Sequence, residues 1–137
     1  MERIICIDDD PLCLLLEEMV IKQANIADET LLADSGSAAF SLLNKLYSAD
    51  NKHVSLEEPS TLIFLDINMP VMNGWDFLGV FEEKYQHLFG KVKIVILSSS
   101  IDTEDIIKSR QYKTVSNFIS KPLTVEVVNK FKGAIRA

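Results

Sequence analysis

The feature that most constrains this chain is a short apolar run that ends on a carboxylate. Residues 62–66, Leu-Ile-Phe-Leu-Asp, follow Pro59-Ser60 and precede a polar turn that contains Pro70 and Gly74. A continuous apolar run of this length between turn residues is typical of a strand that is buried on both faces. We therefore expect Asp66 where a central strand leaves a sheet, which is where open α/β sheets bind their ligands.

The same order of a buried strand and then an amphipathic helix recurs along the chain. The five predicted strands cover residues 3–8, 30–33, 62–66, 92–97 and 117–120. A helical pattern follows each strand, and the fourth, over residues 102–112, has a thin apolar face made of Ile106 and Ile107. Continuous apolar strands that alternate with helices predict an α/β fold, with a parallel sheet covered by helices on both faces.

The first helix is predicted to begin after Asp10, a good N-cap, with Pro11 at its first position. Its apolar residues at helical spacing predict one apolar face, opposite a charged face that contains Glu17, Glu18 and Lys22. That apolar face consists of Leu12, Leu15, Leu16, Met19 and Val20. Further along, residues 48–60 are polar and aperiodic, which predicts an exposed loop.

Composition excludes several classes of protein. The chain has 137 residues, which is the size of one domain. Its net charge is -6, whereas a nucleic-acid-binding module normally carries a basic face. No apolar stretch approaches the roughly 18 residues that span a bilayer. Cys6 and Cys13 lie within apolar patterns rather than at metal-ligand spacing, which favours reduced thiols in the cytoplasm. We expect a single domain over residues 1–137, without an output domain.

Three carboxylates, a hydroxyl and an ammonium are predicted to converge at the carboxyl end of the sheet. The first strand leads into Asp8 and Asp9, the third into Asp66, the fourth into Ser98 and the fifth into Lys121. Carboxylates roughly 4 Å apart repel one another by about 1 to 4 kcal/mol per pair. A divalent cation or a retained proton relieves that repulsion, and all-oxygen ligands with room for water favour Mg²⁺.

These groups together can hold a phosphoryl group. A carboxylate attacks as the nucleophile, a metal ion and a lysine neutralise the phosphoryl oxygens, and a hydroxyl donates a hydrogen bond to them. The residues also match a known pattern, because the chain resembles the receiver domain of two-component response regulators over essentially its whole length. The matching residues are Asp8-Asp9, the segment 65–74 (Leu-Asp-Ile-Asn-Met-Pro-Val-Met-Asn-Gly), Ser98 and Lys121-Pro122.

The resemblance implies a flavodoxin-like fold with strand order 2-1-3-4-5. It implies that Asp66 accepts a phosphoryl group from a histidine kinase or a histidine phosphotransfer protein. Asp9 and Asp66 would bind Mg²⁺ directly, Asn68 through its backbone carbonyl and Asp8 through water. Phe118 stands at the position of the family's switch aromatic. With Ser98 it would remodel a docking face for a downstream protein, made by helix 4, strand 5 and helix 5, through which a homodimer is also possible.

Two other classes of protein are alternatives. A haloacid-dehalogenase-like phosphatase also uses an aspartyl nucleophile, but it carries a second Asp two residues later, where this chain has Asn68, which cannot act as an acid. A flavin or nucleotide carrier shares the fold class, but the chain has no G-x-G-x-x-G or P-loop segment. The resemblance therefore implies a signalling domain whose only chemistry is its own phosphorylation and dephosphorylation.

Overall fold

A computed structural model describes residues 2–47, 60–88 and 90–131 of the chain. The loop predicted at residues 48–60 lies outside these ranges except for Ser60, which begins a strand. Within the described residues, no helix combines the length and the apolar character needed to cross a bilayer.

One five-stranded parallel sheet forms the centre of the part of the chain that the structure describes. Its strands are β1 (Glu2–Ile7), β2 (Glu29–Ala33), β3 (Ser60–Asp66), β4 (Val92–Ser98) and β5 (Val115–Ser120). Their spatial order is β2-β1-β3-β4-β5, with every neighbouring pair parallel. The α/β fold and the strand order are thereby confirmed.

In the described residues, five α-helices connect and follow the strands. They are α1 (Pro11–Ala24), α2 (Gly36–Leu46), α3 (Gly74–Lys84), α4 (Thr103–Ser109) and α5 (Val125–Asn129), with one 3₁₀ turn at Gln86–Leu88. Each α-helix begins at a capping residue whose side chain accepts a hydrogen bond from the first turn, and such a cap stabilises a helix by about 1 kcal/mol. These caps are Asp10, Ser35, Asn73, Asp102 and Thr124.

Two apolar cores lie on opposite faces of the sheet because side chains alternate along each strand. Ile63 and Leu65 of β3 face a core that includes residues of α2 and α3, while Leu62 and Phe64 face a core that includes residues of α1 and α5. The central strand β3 is buried from Thr61 to its end at Asp66. This double burial explains why its sequence is continuously apolar, and it brings Asp66 to the carboxyl edge of the sheet.

Helix α1 does not turn its predicted apolar face toward the sheet. Its predicted apolar face is largely exposed to solvent, with Leu12 62% and Met19 57% exposed. Leu14, Ile21 and Glu17 face the sheet instead, and Glu17 is only 5% exposed. The assignment of Glu17 to the solvent face was therefore wrong. Apolar residues occur on every side of the first two turns of this helix, so periodicity does not select the buried side.

The loop between β3 and α3 holds one strained residue. Val71 has a φ of 67° and a fully exposed side chain, 106% of the reference area. A left-handed conformation costs a residue with a Cβ roughly 1–2 kcal/mol, and a β-branched residue is especially disfavoured there. No packing offsets that cost at this exposed position.

We therefore expect Val71→Gly to raise the free energy of unfolding by about 0.5–1 kcal/mol, since glycine removes the strain but adds chain entropy to the unfolded state. Urea unfolding of the two proteins measures the difference. The matched control is Val80→Gly in α3, an exposed valine in a helix, which should lose a few tenths of a kcal/mol. A Val71→Gly variant no more stable than the wild type would contradict the assignment of strain.

Candidate functional site

An acidic cluster lies at the carboxyl ends of the neighbouring strands β1 and β3. Asp8 follows β1 and Asp66 ends β3, and both side chains are almost completely buried, while the neighbouring Asp9 is exposed. One carboxylate oxygen from each of the three lies within 4.8 Å of the others. The convergence predicted for Asp8, Asp9 and Asp66 is present.

Lys121 joins two of these carboxylates. Its Nζ donates to Asp8 Oδ2 at 2.7 Å and lies 3.4 Å from Asp66 Oδ1. Its backbone N–H donates to the carbonyl of Ser98, and the Lys121–Pro122 peptide bond is cis. Burial by itself lowers the pKa of this ammonium, but the hydrogen bond to Asp8 and the charges of Asp66 and Asp8 outweigh burial and raise the pKa above its usual value.

The surroundings of Asp66 disfavour the charged form of its carboxyl. Burial and the charge of Asp8 raise the pKa of Asp66, while Lys121 and the backbone N–H of Asn68, 3.3 Å from Asp66 Oδ1, act in the opposite direction. Among the described residues, Lys121 is paired with Asp8 and Asp66, and Asp9 adds a third carboxylate to the same cluster. A further cation at the cluster would therefore stabilise the charged form of Asp66.

The loop that follows Asp66 is folded back tightly. The N–H of Gly74 donates to the carbonyl of Ile67 at 2.8 Å. A Cβ at Gly74 would lie 2.8 Å from Ile67 Cα and 2.9 Å from the Asp66 carbonyl oxygen, so this position needs glycine. Asn73 and Asp76 complete a reciprocal capping box at the start of α3. Residues 73–76 thus fix where the chain turns away after the carboxylate.

Ser98 and Phe118, the two predicted switch residues, lie on neighbouring strands β4 and β5. Ser98 is buried, and its hydroxyl donates to the carbonyl of Ser100 at 2.6 Å rather than to Asp66. Phe118 is half-buried and packs against the core that contains α2 and α3. In this conformation the serine hydroxyl is therefore engaged within its own loop.

The donor set fits a hard divalent cation such as Mg²⁺. All three groups are carboxylates, and Asp9 is exposed, so a cation here can keep water ligands. Both oxygens of Asp8 are already engaged, Oδ2 by Lys121 and Oδ1 by the N–H of Asp10 at 3.0 Å. Asp8 is thus better placed to contact a cation through water than directly, whereas Asp66 and Asp9 can offer an oxygen directly.

Glu17 is a buried acid beside this site that the sequence pattern did not reveal. Burial, the nearby charge of Asp8 and a hydrogen bond with Asp8 raise its pKa to about 8, although Lys121 acts in the opposite direction. Its Oε1 has no hydrogen-bond partner among the described residues. Cys6 of β1 and Asp8, just beyond the end of that strand, are two residues apart and lie on the same face of the sheet, against which α1 packs and buries Glu17. The buried position of Glu17 follows from the orientation of α1 about its own axis, which the sequence pattern did not indicate.

The family model of the response regulator receiver domain matches residues 4–131 of this chain. The chain belongs to the response regulator receiver domain family. This receiver domain is similar to a two-component response regulator from Cytophaga hutchinsonii, with 32% identity, a TM-score of 0.86, and coverage of 99% of this chain and 97% of that one. No curated protein gives a significant match.

Other solved structures share the fold at lower identity. The bacteriophytochrome response regulator AtBRR is 25% identical, with a TM-score of 0.72 and coverage of 95% of this receiver domain and 89% of that chain. The chemotaxis protein CheY4 of Vibrio cholerae is 20% identical, with a TM-score of 0.75 and coverage of 98% of both chains. The family match identifies a signalling domain of two-component systems, and it does not support the haloacid-dehalogenase-like alternative.

Proposed function

We propose that this receiver domain accepts a phosphoryl group on Asp66 from a phosphohistidine of a histidine kinase or a histidine phosphotransfer protein, in a reaction that requires Mg²⁺. The observation that carries the proposal is the cluster of Asp8, Asp9 and Asp66 around Lys121 at one edge of the sheet. A carboxylate oxygen of Asp66 attacks phosphorus, the P–O bond forms as the P–N bond breaks, and the electron pair returns to the imidazole nitrogen.

Each residue of the cluster has a separate role in this proposal. Lys121 is held between Asp8 and Asp66, from where its ammonium pairs with a phosphoryl oxygen once Asp66 is modified. Asp9, Asp66 and the backbone carbonyl of Asn68 would hold the metal, and Asp8 would contribute through water. Mg²⁺, when bound, supplies the positive charge that offsets the carboxylates and the phosphoryl oxygens.

The chemistry proposed for this domain is limited to its own modification. Asn68, two residues beyond Asp66, is exposed and has no ionisable group that could serve as a general acid. We propose that the domain phosphorylates itself from a donor and later hydrolyses the acyl phosphate, without turnover of an external substrate.

The proposed output is a change in the face made by α4, β5 and α5, which docks a downstream protein and offers a surface for a homodimer. The hydroxyl of Ser98 would leave the Ser100 carbonyl to donate to the phosphoryl group, and Phe118 would move with it. α4 has only seven residues, of which only Ser109 is buried, and such a weakly packed helix shifts at low cost. The free thiols of Cys6 and Cys13 support a reducing location such as the cytoplasm.

Metal removal tests the proposal most directly. Intact mass of the wild-type chain after incubation with a small phosphodonor such as phosphoramidate should show one added phosphoryl group in Mg²⁺. The same incubation in EDTA should leave the mass essentially unmodified, because the phosphoryl charge then faces three carboxylates with one ammonium. No addition in Mg²⁺, or equal addition in EDTA, would overturn the proposed reaction.

A further inference from the structure

One cation and two aromatic rings join the start of α3 to the end of α4. Trp75, the second residue of α3, stacks on the ring of Tyr112 with the two ring centres 5.9 Å apart. Lys108, in the last turn of α4, places its Nζ 4.7 Å from the centre of the Trp75 ring. A cation over the face of an indole is attracted by the negative charge of that face. These three side chains are called the Trp75 clasp below.

Helix α4 packs against the rest of the domain mainly at its carboxyl end. Of its seven residues only Ser109 is buried, whereas Trp75 and Tyr112 of the clasp are half-buried against the core that contains α2 and α3. A helix of this length is not stable by itself, so α4 depends on contacts with other elements. Loss of a contact at its carboxyl end should therefore loosen the whole helix.

The other end of the clasp is fixed to the loop that follows Asp66. Gly74, the residue before Trp75, donates from its N–H to the carbonyl of Ile67 at 2.8 Å and has no room for a Cβ. The reciprocal capping box on either side of Gly74 holds the same turn. The clasp thus connects the loop after the proposed phosphoacceptor with the helix that the proposed switch moves.

We propose that the Trp75 clasp opposes the switch by holding α4 in the position that it has before phosphorylation. This inference rests on the proposed function, because it adds a restraint to the shift of α4 that modification of Asp66 is proposed to cause. The clasp is closed in the conformation in which the hydroxyl of Ser98 is engaged within its own loop. A shift of α4 relative to α3 separates Lys108 from the indole, so the closed clasp favours the unswitched state.

The size of the restraint follows from the strength of the cation–π contact. Lys108 is exposed, and at an exposed site such a contact changes an equilibrium by about two- to fivefold. A contact that is present in only one of two states weakens, by linkage, any ligand that binds the other state by up to the same factor. Removal of the Lys108 charge should therefore strengthen the binding of a phosphoryl mimic at Asp66 by about two- to fivefold.

Three variants separate the clasp from a general loss of positive charge. Lys108→Gln removes the cation, whereas Lys108→Arg keeps a cation that can lie over the indole. Arg110→Gln is the matched control, because Arg110 is an exposed cation at the same end of α4 but lines a groove beside β5. Its removal takes the same favourable charge from the carboxyl end of the helix and leaves the clasp intact.

Two measurements on the full chain test the clasp. Hydrogen exchange of the α4 amides in the unphosphorylated protein reports local opening, and it should be about two- to fivefold faster in Lys108→Gln. Beryllium fluoride, a tetrahedral mimic of a phosphoryl group, is titrated in the presence of Mg²⁺ and followed by NMR, and its dissociation constant should be about two- to fivefold lower in that variant. Lys108→Arg and Arg110→Gln should stay close to the wild type in both measurements. The spectra also report whether each variant is folded.

An unchanged or weaker affinity in Lys108→Gln, or an equal gain in Lys108→Arg or Arg110→Gln, would overturn the role of the clasp. Faster exchange without a gain in affinity would also overturn it, because α4 would then be loosened with no effect at Asp66. Phosphoryl uptake, measured by intact mass on the same samples, tests the proposed function separately. A wild-type chain that takes up no phosphoryl group removes the phosphoacceptor proposal, and hydrogen exchange then decides whether the clasp holds α4.

Discussion

Asp66→Asn should abolish phosphoryl uptake and leave the fold intact. The amide has almost the shape of the carboxylate but is a poor nucleophile, so no P–O bond forms at this position. The substitution should not destabilise the domain, because burial and the charge of Asp8 already disfavour the charged form of Asp66. Intact mass measures uptake, and urea unfolding measures stability.

Asp10→Asn is the matched control for this substitution. Asp10 is exposed, lies two residues from Asp8, and caps α1 by accepting from the N–H of Leu12 at 2.9 Å. Asparagine caps helices about as well as aspartate, so both the fold and phosphoryl uptake should persist. If the Asp66→Asn protein took up one phosphoryl group to the same extent as the wild type, the phosphoacceptor would be another residue.

Glu17→Leu should stabilise the domain by a few kcal/mol at pH 8 and flatten its pH dependence. The pKa of Glu17 is raised to about 8 in the folded chain, against 4.5 when the group is free in solvent. Between these values the folded state holds a proton that the unfolded state has lost. The free energy of unfolding therefore falls as pH rises from about 4.5 to about 8.

Leucine at position 17 has no proton to hold and no polar group to bury. Replacement of buried ion pairs by apolar residues of similar volume is often neutral or stabilising by about 1–4 kcal/mol, and removal of a buried carboxyl with an unpaired oxygen acts in the same direction. The charged groups that influence Glu17 most are Asp8, Lys121 and Asp66, and all three are unchanged in the variant. The difference between the two proteins thus isolates the contribution of the Glu17 carboxyl.

Urea unfolding at pH 5 and pH 8, with EDTA present, measures that difference. The adjacent control is Glu18→Leu, because Glu18 is less deeply buried than Glu17 and pairs with Lys22 at 3.7 Å. That pair contributes about 0.3–0.5 kcal/mol, so this control should change stability little at either pH. A gain from Glu17→Leu of the same size at pH 5 and pH 8 would show that Glu17 does not titrate between them.

Much of the architecture was accessible from the sequence. Apolar runs buried on both faces, such as residues 62–66, require a parallel sheet, and a parallel sheet brings the carboxyl ends of its strands to one edge. Asp8, Asp66 and Lys121 were therefore predicted to meet although 113 positions separate Asp8 from Lys121. Strong local caps, such as Asp10 before Pro11, also placed the start of α1 correctly.

Other features depended on how the elements pack. Residues 12–16 of α1, Leu-Cys-Leu-Leu-Leu, are apolar in every direction around the helix, so a period of 3.6 residues does not distinguish the side that contacts the sheet. Packing on β1 and β3 rotates Leu14, Glu17 and Ile21 inward, which leaves Leu12 and Met19 exposed and buries an acid beside Asp8.

The sequence alone thus determined which chemical groups meet at the site, because the alternation of buried strands and helices is enough to bring the strand ends together. Which hydrogen bonds and ion pairs those groups form was decided by the tertiary structure. Lys121 contacts two carboxylates, Ser98 donates within its own loop, and Arg110 lines a groove at the edge strand. Such pairings depend on distances of a few ångströms between separate elements, and only the packed core sets those distances.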